Sequence, residues 1–260
     1  MNIGYFIDRY FIKRPRFRRF VTAALVRDRA ESITIAGTKL LANSRREHGY
    51  FRAARMTQLN STLRDEMPVL MNLFALIKDG DTFVDVGANV GLFTHSISRL
   101  HNLFPRLKIV AIEPHPDTFL RLAAQPSPWI KYVNAAAGDA NGTITFVDGA
   151  VSHVFTSMEN MTSYNIKSET AVVPTVRLDE IVAGDSPIVM KIDVEGHERK
   201  VLDGAIGLFE AGRVRVVYLD GYNDISIHGF LTDRGFKLLN GRTLESINRK
   251  VFSLLAIKEH

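Results

Sequence analysis

The 260 residues suffice for one α/β domain of ordinary size with an extension and are too few for two large domains with separate cores. Hydrophobic residues at 46% and charged residues at 23% describe a folding globular chain, and the absence of cysteine removes disulfides, a thiolate nucleophile and cysteine-held zinc or iron–sulfur centres. The net charge of +5 is localised, because residues 1–30 carry eight Lys or Arg against two Asp while the remainder is close to neutral.

The leader is basic and aromatic (Tyr5, Phe6, Tyr10, Phe11, Phe17, Phe20), and Pro15 is expected to separate two short helices. Such a segment suits peripheral contact with an anionic membrane face or an acidic partner. Its plainer reading is a solvated helix packed on the domain. The apolar stretch at 20–26 is far short of the roughly 20 residues that a spanning helix needs. Arg27, Asp28 and Arg29 interrupt it, so it does not read as a signal peptide, and a cytoplasmic location is expected. No nucleic-acid-binding module accompanies the charge, and nucleic acid is not expected as a partner. Alternation at 32–36, a turn at Gly37 and a return at 38–42 predict a hairpin. Residues 1–60 are read as an N-terminal extension and 61–260 as the main domain.

From Pro68 the pattern sharpens. Val69, Leu70, Leu73, Phe74, Leu76 and Ile77 fall on one helical stripe that Gly80 closes. Beyond it, short runs rich in branched residues alternate with helical segments, the sign of parallel βαβ units in a doubly wound sheet. Strands are predicted at 82–86, 108–112, 130–134, 188–192 and 213–219, with helices at 91–100, 116–124 and 198–209. Two late strands, 236–239 and 251–257, are expected to pair antiparallel across a short turn region. An insert at 141–176 breaks the alternation with a strand at 142–147 and a polar run at 152–168. Lying above the carboxyl ends of the strands, it is the expected substrate lid.

Three clusters carry chemistry. The first, Asp85-Val86-Gly87-Ala88-Asn89-Val90-Gly91, joins a strand to a helix. Gly87 permits a tight turn and close approach of a ligand, and Gly91 lets the helix pack near the strand. The G-x-x-x-G spacing is not the G-x-G-x-x-G of a dinucleotide site. Asp85 would repel a pyrophosphate yet receive a cation such as the amino group of a methionine moiety; a purely structural turn is the bland alternative. The second is Glu113, 22 residues past Gly91, suited to accept hydrogen bonds from both ribose hydroxyls of an adenosine ligand and otherwise a solvated loop acid. The third, Lys191-Ile192-Asp193-Val194-Glu195-Gly196-His197-Glu198, ends a buried strand at the switch point. There Asp193 and Glu195 are candidates for substrate contact and His197 for an alternative base, although His197 and Glu198 also suit a helix start.

These motifs, with Ala136-Ala137-Gly138-Asp139, Asn141-Gly142 and Val176-Arg177-Leu178-Asp179, resemble the FkbM family of S-adenosylmethionine-dependent methyltransferases over about residues 81–218. The resemblance implies an α/β, Rossmann-like class I methyltransferase fold with a mostly parallel seven-stranded sheet and helices on both faces. It also implies S-adenosyl-L-methionine as cofactor and O-methylation of a hydroxyl on a sugar, glycan or natural-product acceptor. Carried over, Asp85, Gly87, Ala88, Asn89 and Gly91 would line the cofactor, Glu113 would hold its ribose, and Ala137, Gly138 and Asp139 would lie near its adenine. The chain departs from the pattern after the fifth strand, with Leu219-Asp220-Gly221 where members often have Glu. Asp193 is the first expectation for a catalytic base, ahead of Glu195 and His197; paired carboxylates suit magnesium, but no metal site is predicted. A nucleic-acid methyltransferase, a nicotinamide-dependent oxidoreductase on the same sheet and a non-enzymatic binding module are the rival readings.

Overall fold

The computed structural model describes residues 26–55, 62–148, 155–157 and 169–259. The leader helices expected around Pro15, and all but three residues of the polar run at 152–168, lie outside them. The described chain opens with the predicted hairpin, β1 (Ala30–Ile35) paired antiparallel with β2 (Thr38–Asn43). Its turn residues Ala36 and Gly37 both have positive φ, 46° and 79°, as the two-residue turn that follows strand twist demands. Helix α1 (His48–Arg55) follows, and a π-helical turn at Thr62–Glu66 feeds α2 (Met67–Leu76). Ile33, Ile35, Leu40 and Ala42 of the hairpin and Phe51 of α1 share one core cluster with Val90 and Leu92. A buried hydrogen bond of 2.8 Å joins the hydroxyls of Thr38 and Ser96. The hairpin and α1 therefore share a continuous core with the body of the protein.

The main sheet is built from β3 (Thr82–Val86), β4 (Lys108–Ile112), β5 (Ile130–Val133), β10 (Ile188–Ile192), β11 (Val214–Asp220), β12 (Phe236–Asn240) and β13 (Ser253–Lys258). Their order is β12-β13-β11-β10-β3-β4-β5. All pairings are parallel except those of β13, which is antiparallel to both neighbours. Helices α3 (Leu92–Ser98), α4 (Pro116–Leu122), α5 (Leu178–Ile181), α6 (Glu198–Asp203), α7 (Ile206–Glu210) and α8 (Ser226–Thr232) connect them. This is the seven-stranded, doubly covered sheet that the family resemblance implies. Every residue of β3 and β10 is buried, as central parallel strands require. Val84, Val86, Met190 and Ile192 pack with Val201 and Leu202 of α6 on one face, while Phe83, Ile109 and Val189 meet Leu73 and Phe93 on the other. The chain runs outward from β3 to β5 and resumes at β10 on the opposite side of β3, so the switch point lies between β3 and β10.

Between β5 and β10 the insert forms a second sheet from β6 (Ala136–Ala137), β7 (Gly142–Asp148), β8 (Phe155–Ser157) and β9 (Glu169–Val176), in the order β6-β9-β7-β8. Two predicted helices are modified. The segment at 91–100 begins at Leu92 and tightens into a 3₁₀ turn at Arg99–Asn102. The single helix at 198–209 is two, because Gly204 lies against the 138–139 loop. A Cβ on Gly204 would stand 1.9 Å from the Gly138 carbonyl oxygen, and the Gly204 carbonyl turns to accept from Asp179 N at 3.1 Å.

That contact yields a stability prediction. Gly204→Ala must force two backbones apart and is expected to cost about 1–3 kcal/mol, read as a lower denaturant midpoint at unchanged slope. Gly229→Ala, in α8 with open space around the new methyl, should leave the midpoint level or raise it. Equal midpoints for Gly204→Ala and the parent chain would refute the close approach.

Candidate active site

Register brings the three motifs to one level. Val86 of β3 stands opposite Ile112 of β4 and Ile192 of β10, so Gly87, Glu113 and Asp193 each emerge one residue past a matched rung. Backbone bonds continue the sheet into these loops: Gly87 N and Ala88 N donate to Ile112 O at 3.0 and 2.9 Å, and Asp193 N donates to Val86 O at 3.0 Å. Gly87 has φ 75°, and a Cβ there would sit 1.9 Å from the Asp193 carbonyl oxygen. The close approach expected of a ligand is thus one of backbone to backbone.

Beneath this junction lies Lys191, 4% exposed. Its ammonium donates to Gly87 O at 2.8 Å and stands 3.2 Å from Asp85 Oδ1 and 3.5 Å from Asp193 Oδ2, above the Phe93 ring at 5.4 Å. Burial alone would lower the lysine's proton affinity, but the Asp85 and Asp193 carboxylates outweigh it and hold the ammonium charged. Asp85 is wholly buried and also accepts from Thr94 Oγ1 at 2.7 Å. It therefore braces the site from behind and does not face the cavity.

Glu113 is buried at the end of β4, where Oε2 accepts from Asn89 N at 2.8 Å and Oε1 from His115 N at 2.9 Å. Desolvation raises its pKa from 4.5 to about 7, against the lowering effect of these two N–H groups. Glu195 occupies a left-handed conformation, φ 53°, in the turn after Asp193. Desolvation by the surrounding loop, then repulsion from Asp193, Glu198 and Asp220, raises its carboxyl to about 7, and its solvent access at the rim screens part of that effect. Asp220, at the end of β11, is likewise raised by burial and then by Asp193, and accepts from the Tyr218 hydroxyl at 2.6 Å. Glu198 accepts from Gly196 N at 2.8 Å, a helix-start role, whereas His197 holds the cap position of α6 without a side-chain capping bond. Among the described residues, no group of three acidic or imidazole side chains is arranged to hold a metal ion.

A cavity of about 320 Å³ joins these parts. Of the residues singled out from sequence, Gly87, Asn89, Glu113, Ala137, Gly138, Asp139, Asp193, Glu195 and His197 line it, and Asp85, Ala88 and Gly91 do not. Ala88 is buried in the core beside Ile109, and Gly91, φ 88°, is held by His95 and Leu122, which a Cβ would meet at 2.5 and 2.7 Å. These three shape the loop from the protein side. The wall also contains Arg46, Glu47, His115 and Lys200, which sequence reading missed. Arg46 and Glu47 follow the hairpin and carry no motif. Only tertiary contacts reveal them: Arg46 Nη1 lies 2.8 Å from His115 Nε2, and the buried Glu47 pairs with Arg121 of α4 at 2.6 Å. Tyr50 of α1 reports the same neighbourhood, its phenol raised by burial and then by the carboxylates of Glu66, Asp193 and Asp85.

Removing the buried ammonium tests the bracing. Lys191→Met leaves Asp85 without its counter-charge and is expected to cost about 3–5 kcal/mol. Pairing it with Asp85→Asn should recover a good part, since both charges then leave together. A fully additive double variant in urea unfolding would show that the two groups do not interact.

Comparison with known proteins identifies the family. A profile of the methyltransferase FkbM domain matches residues 85–238, more than half of the chain. The hexuronic acid methyltransferase AglP of Haloferax volcanii is 30% identical over 152 residues, which are 55% of this chain and 57% of that protein. The chain thus spans a little over half the length of that relative. Among solved structures, a methyltransferase FkbM from Methylobacillus flagellatus aligns at 15% identity over 70% of this chain and 45% of its own, with a TM-score of 0.45. A precorrin-6y C5,15-methyltransferase from Geobacter metallireducens aligns at 15% identity over 79% and 92%, with a TM-score of 0.41. On the extent of the profile match, this chain belongs to the FkbM methyltransferase family.

Proposed function

We propose that this protein is an S-adenosylmethionine-dependent O-methyltransferase whose acceptor is a hydroxyl of a sugar or glycan. The observation that carries the reading is the buried Glu113 carboxylate, level with Gly87 and Asp193 on the wall of one cavity. The residues present fit the cofactor. With one lone pair of each oxygen engaged by Asn89 N and His115 N, Glu113 retains acceptor capacity for two ribose hydroxyls. Ala137, Gly138 and Asp139 line the same cavity, and the small size of Ala137 and Gly138 leaves room for the adenine. When bound, S-adenosylmethionine supplies an electrophilic methyl group on a sulfonium, which needs no activation by the protein.

The same loop disfavours the dinucleotide rival. A pyrophosphate in a glycine loop is cradled by free N–H groups of the loop as well as by the start of the helix that follows. Here Asn89 N is engaged by Glu113, Val90 N by the Asn89 side chain at 2.8 Å, and Gly91 N by Ala88 O at 2.9 Å. The near-neutral body gives no argument for a nucleic-acid acceptor. The similarity to a hexuronic acid methyltransferase favours an acidic sugar as the acceptor class.

The protein's tasks are then to orient the acceptor hydroxyl toward the methyl and to take its proton as the bond forms. Glu195 is the better base near neutral pH, because its proton affinity is raised to about 7, while the Asp193 carboxylate is tethered beside the Lys191 ammonium and orients. His197 lines the same cavity and is the next alternative. This reverses the order expected from sequence, where Asp193 came first.

Calorimetry with S-adenosylhomocysteine tests the cofactor half. Ribose hydroxyls donate to the ionised Glu113, so affinity should rise about tenfold between pH 6 and 8 as the carboxyl ionises around 7, and Glu113→Gln should bind weakly with a flat profile. The free protein moves in the opposite sense. Between pH 4.5 and 7 the folded chain holds a proton that the unfolded chain releases, so this group's contribution to stability declines as pH rises through that window. Absence of binding by the parent chain would end the cofactor assignment. For the base, Glu195→Gln should lower kcat on a uronic-acid glycoside by about 10²–10⁴-fold with unchanged affinity for S-adenosylhomocysteine; an unchanged kcat would return the role to Asp193 or His197.

A further inference from the structure

Register places a second group of side chains beside Asp193. Ile192 of β10 pairs with Leu219 of β11, so Asp193 and Asp220 stand next to one another, and Asp220 in turn pairs with Ser253 of β13. One step further out, Gly221 N donates to Phe252 O at 2.8 Å. Gly241 N donates to Ser253 O at 2.8 Å, and a Cβ on Gly241 would stand 2.7 Å from the Tyr218 ring. Asp220, Phe252 and Arg242 therefore share the carboxyl edge of the sheet on the β11 side of Asp193. Burial and then the Asp193 charge raise the Asp220 carboxyl, and the Tyr218 hydroxyl, Lys191 and Arg242 oppose them. Phe252 and Arg242 lie past the profile match and do not line the cofactor cavity.

Arg242 is fixed at this edge by its backbone. Its N–H donates to Asn240 Oδ1 at 2.9 Å, and the Asn72 side chain of α2 donates to the carbonyls of Gly241 and Arg242 at 2.8 and 3.4 Å. The guanidinium makes one hydrogen bond, from Nη1 to Asp65 Oδ1 at 3.1 Å, and Arg64 already grips that carboxylate with two bonds of 2.9 Å. Two guanidinium groups thus share one acid. Arg242 Nε is enclosed without an acceptor, Nη2 makes no hydrogen bond among the described residues, and the side chain is 31% exposed. Beside it the Phe252 ring is 63% exposed, with its centre 5.8 Å from the guanidinium. A lone exposed phenylalanine is ordinary, but an open ring next to a cation with donors to spare is a composite surface. A hexopyranose has a face of C–H groups that suits the electron-rich face of an aromatic ring. A uronic acid adds a carboxylate at its rim, the natural acceptor for a guanidinium.

We infer that Phe252 and Arg242 form the acceptor subsite, the ring carrying the C–H face of a hexuronic acid residue and the guanidinium donating to its carboxylate. This gives the acidic-sugar acceptor a place to bind and rests on the function proposed above. The charges explain why a cation is needed there. Asp193, Glu195 and Asp220 would repel a carboxylate that approached alone. A guanidinium at the outer end of this row holds the sugar's charge away from the acids and leaves its hydroxyls on the side of Asp193 and Glu195. A neutral hexose lacks the group that Arg242 is placed to receive, so the same pair gives selectivity as well as affinity.

The experiment is calorimetric titration of the S-adenosylhomocysteine complex with the methyl glycosides of glucuronic, galacturonic and mannuronic acid and with the matching neutral hexosides. The parent chain is expected to bind at least one uronoside about tenfold more tightly than its neutral counterpart. Arg242→Gln should abolish that preference, with Arg242→Lys between it and the parent. Phe252→Ala should weaken the preferred uronoside by about threefold or more while keeping the preference. A parent complex that favours no uronoside overturns the inference, as do variants that bind the uronosides as the parent does. Should Arg242→Gln fail to fold, the lysine variant decides, since it keeps the charge and loses the planar fork. A parent chain that does not bind S-adenosylhomocysteine refutes the cofactor reading itself, an outcome distinct from a bound cofactor product with no preference for a uronoside.

Discussion

A single buried ammonium ties the site together. Lys191 reaches across from β10 to the carbonyl of Gly87 at the end of β3, with Asp85 below and Asp193 beside it. The glycine loop and the loop after β10 come from strands more than 100 residues apart in sequence, and their backbones touch where any residue but glycine would collide. Such a contact leaves no room for adjustment, so the spacing between the two loops is set by the protein before any ligand arrives. Two carboxylates facing one another there would repel; the ammonium makes the junction attractive and removes the desolvation penalty that Asp85 alone would carry.

That junction explains how the work divides among the residues of the glycine motif. Side chains alternate along a strand, so in β3 Phe83 and Asp85 face one layer of helices while Val84 and Val86 face the other. Asp85 consequently points toward Thr94 of α3 and toward Lys191, and its contribution to ligand binding is made through the loop it braces. Beyond the strand end, Ala88 packs on the Phe83 side of the core, and Gly91 lies against His95 and Leu122. The residues that do line the cavity, Gly87 and Asn89, lie at two of the motif's three positive-φ positions, with φ 75° and 53°.

Much of this was legible in the sequence. The central strands were readable to the residue because fully buried parallel strands are uninterrupted apolar runs, and the level at which Gly87, Glu113 and Asp193 emerge follows once those strands are in register. Alternation within β3 turns Asp85 to the Phe83 side, away from the cavity in which the sequence reading expected it to receive a cation. What could not be read depends on contacts between distant segments. The break at Gly204 is imposed by a carbonyl 66 residues earlier, at Gly138. Arg46 and Glu47 meet partners 69 and 74 residues away in a stretch with no motif of its own, so nothing local distinguished them from surface charge.

The electrostatics of the cavity also fix the pH range in which it can work. Glu113 and Glu195 are raised to about 7 for the same leading reason, desolvation, yet they serve different ends. In the proposed roles, Glu113 must be ionised to accept from two hydroxyls, and Glu195 must be ionised to take a proton. Both conditions are met on the alkaline side of neutrality, where the cleft gains two negative charges, that of Glu195 close to Asp193 and Asp220. Lys191 is the buried cation that offsets part of this charge, and its ammonium persists throughout that range because the neighbouring carboxylates hold it protonated. A ligand that brings a positive sulfonium into such a cleft meets a field already of the right sign, whereas the product, having lost that charge with the methyl group, is held less strongly. On the proposed S-adenosylmethionine reading, the accumulation of acids around a single lysine, costly to the free protein, would favour the charged methyl donor over its neutral remainder.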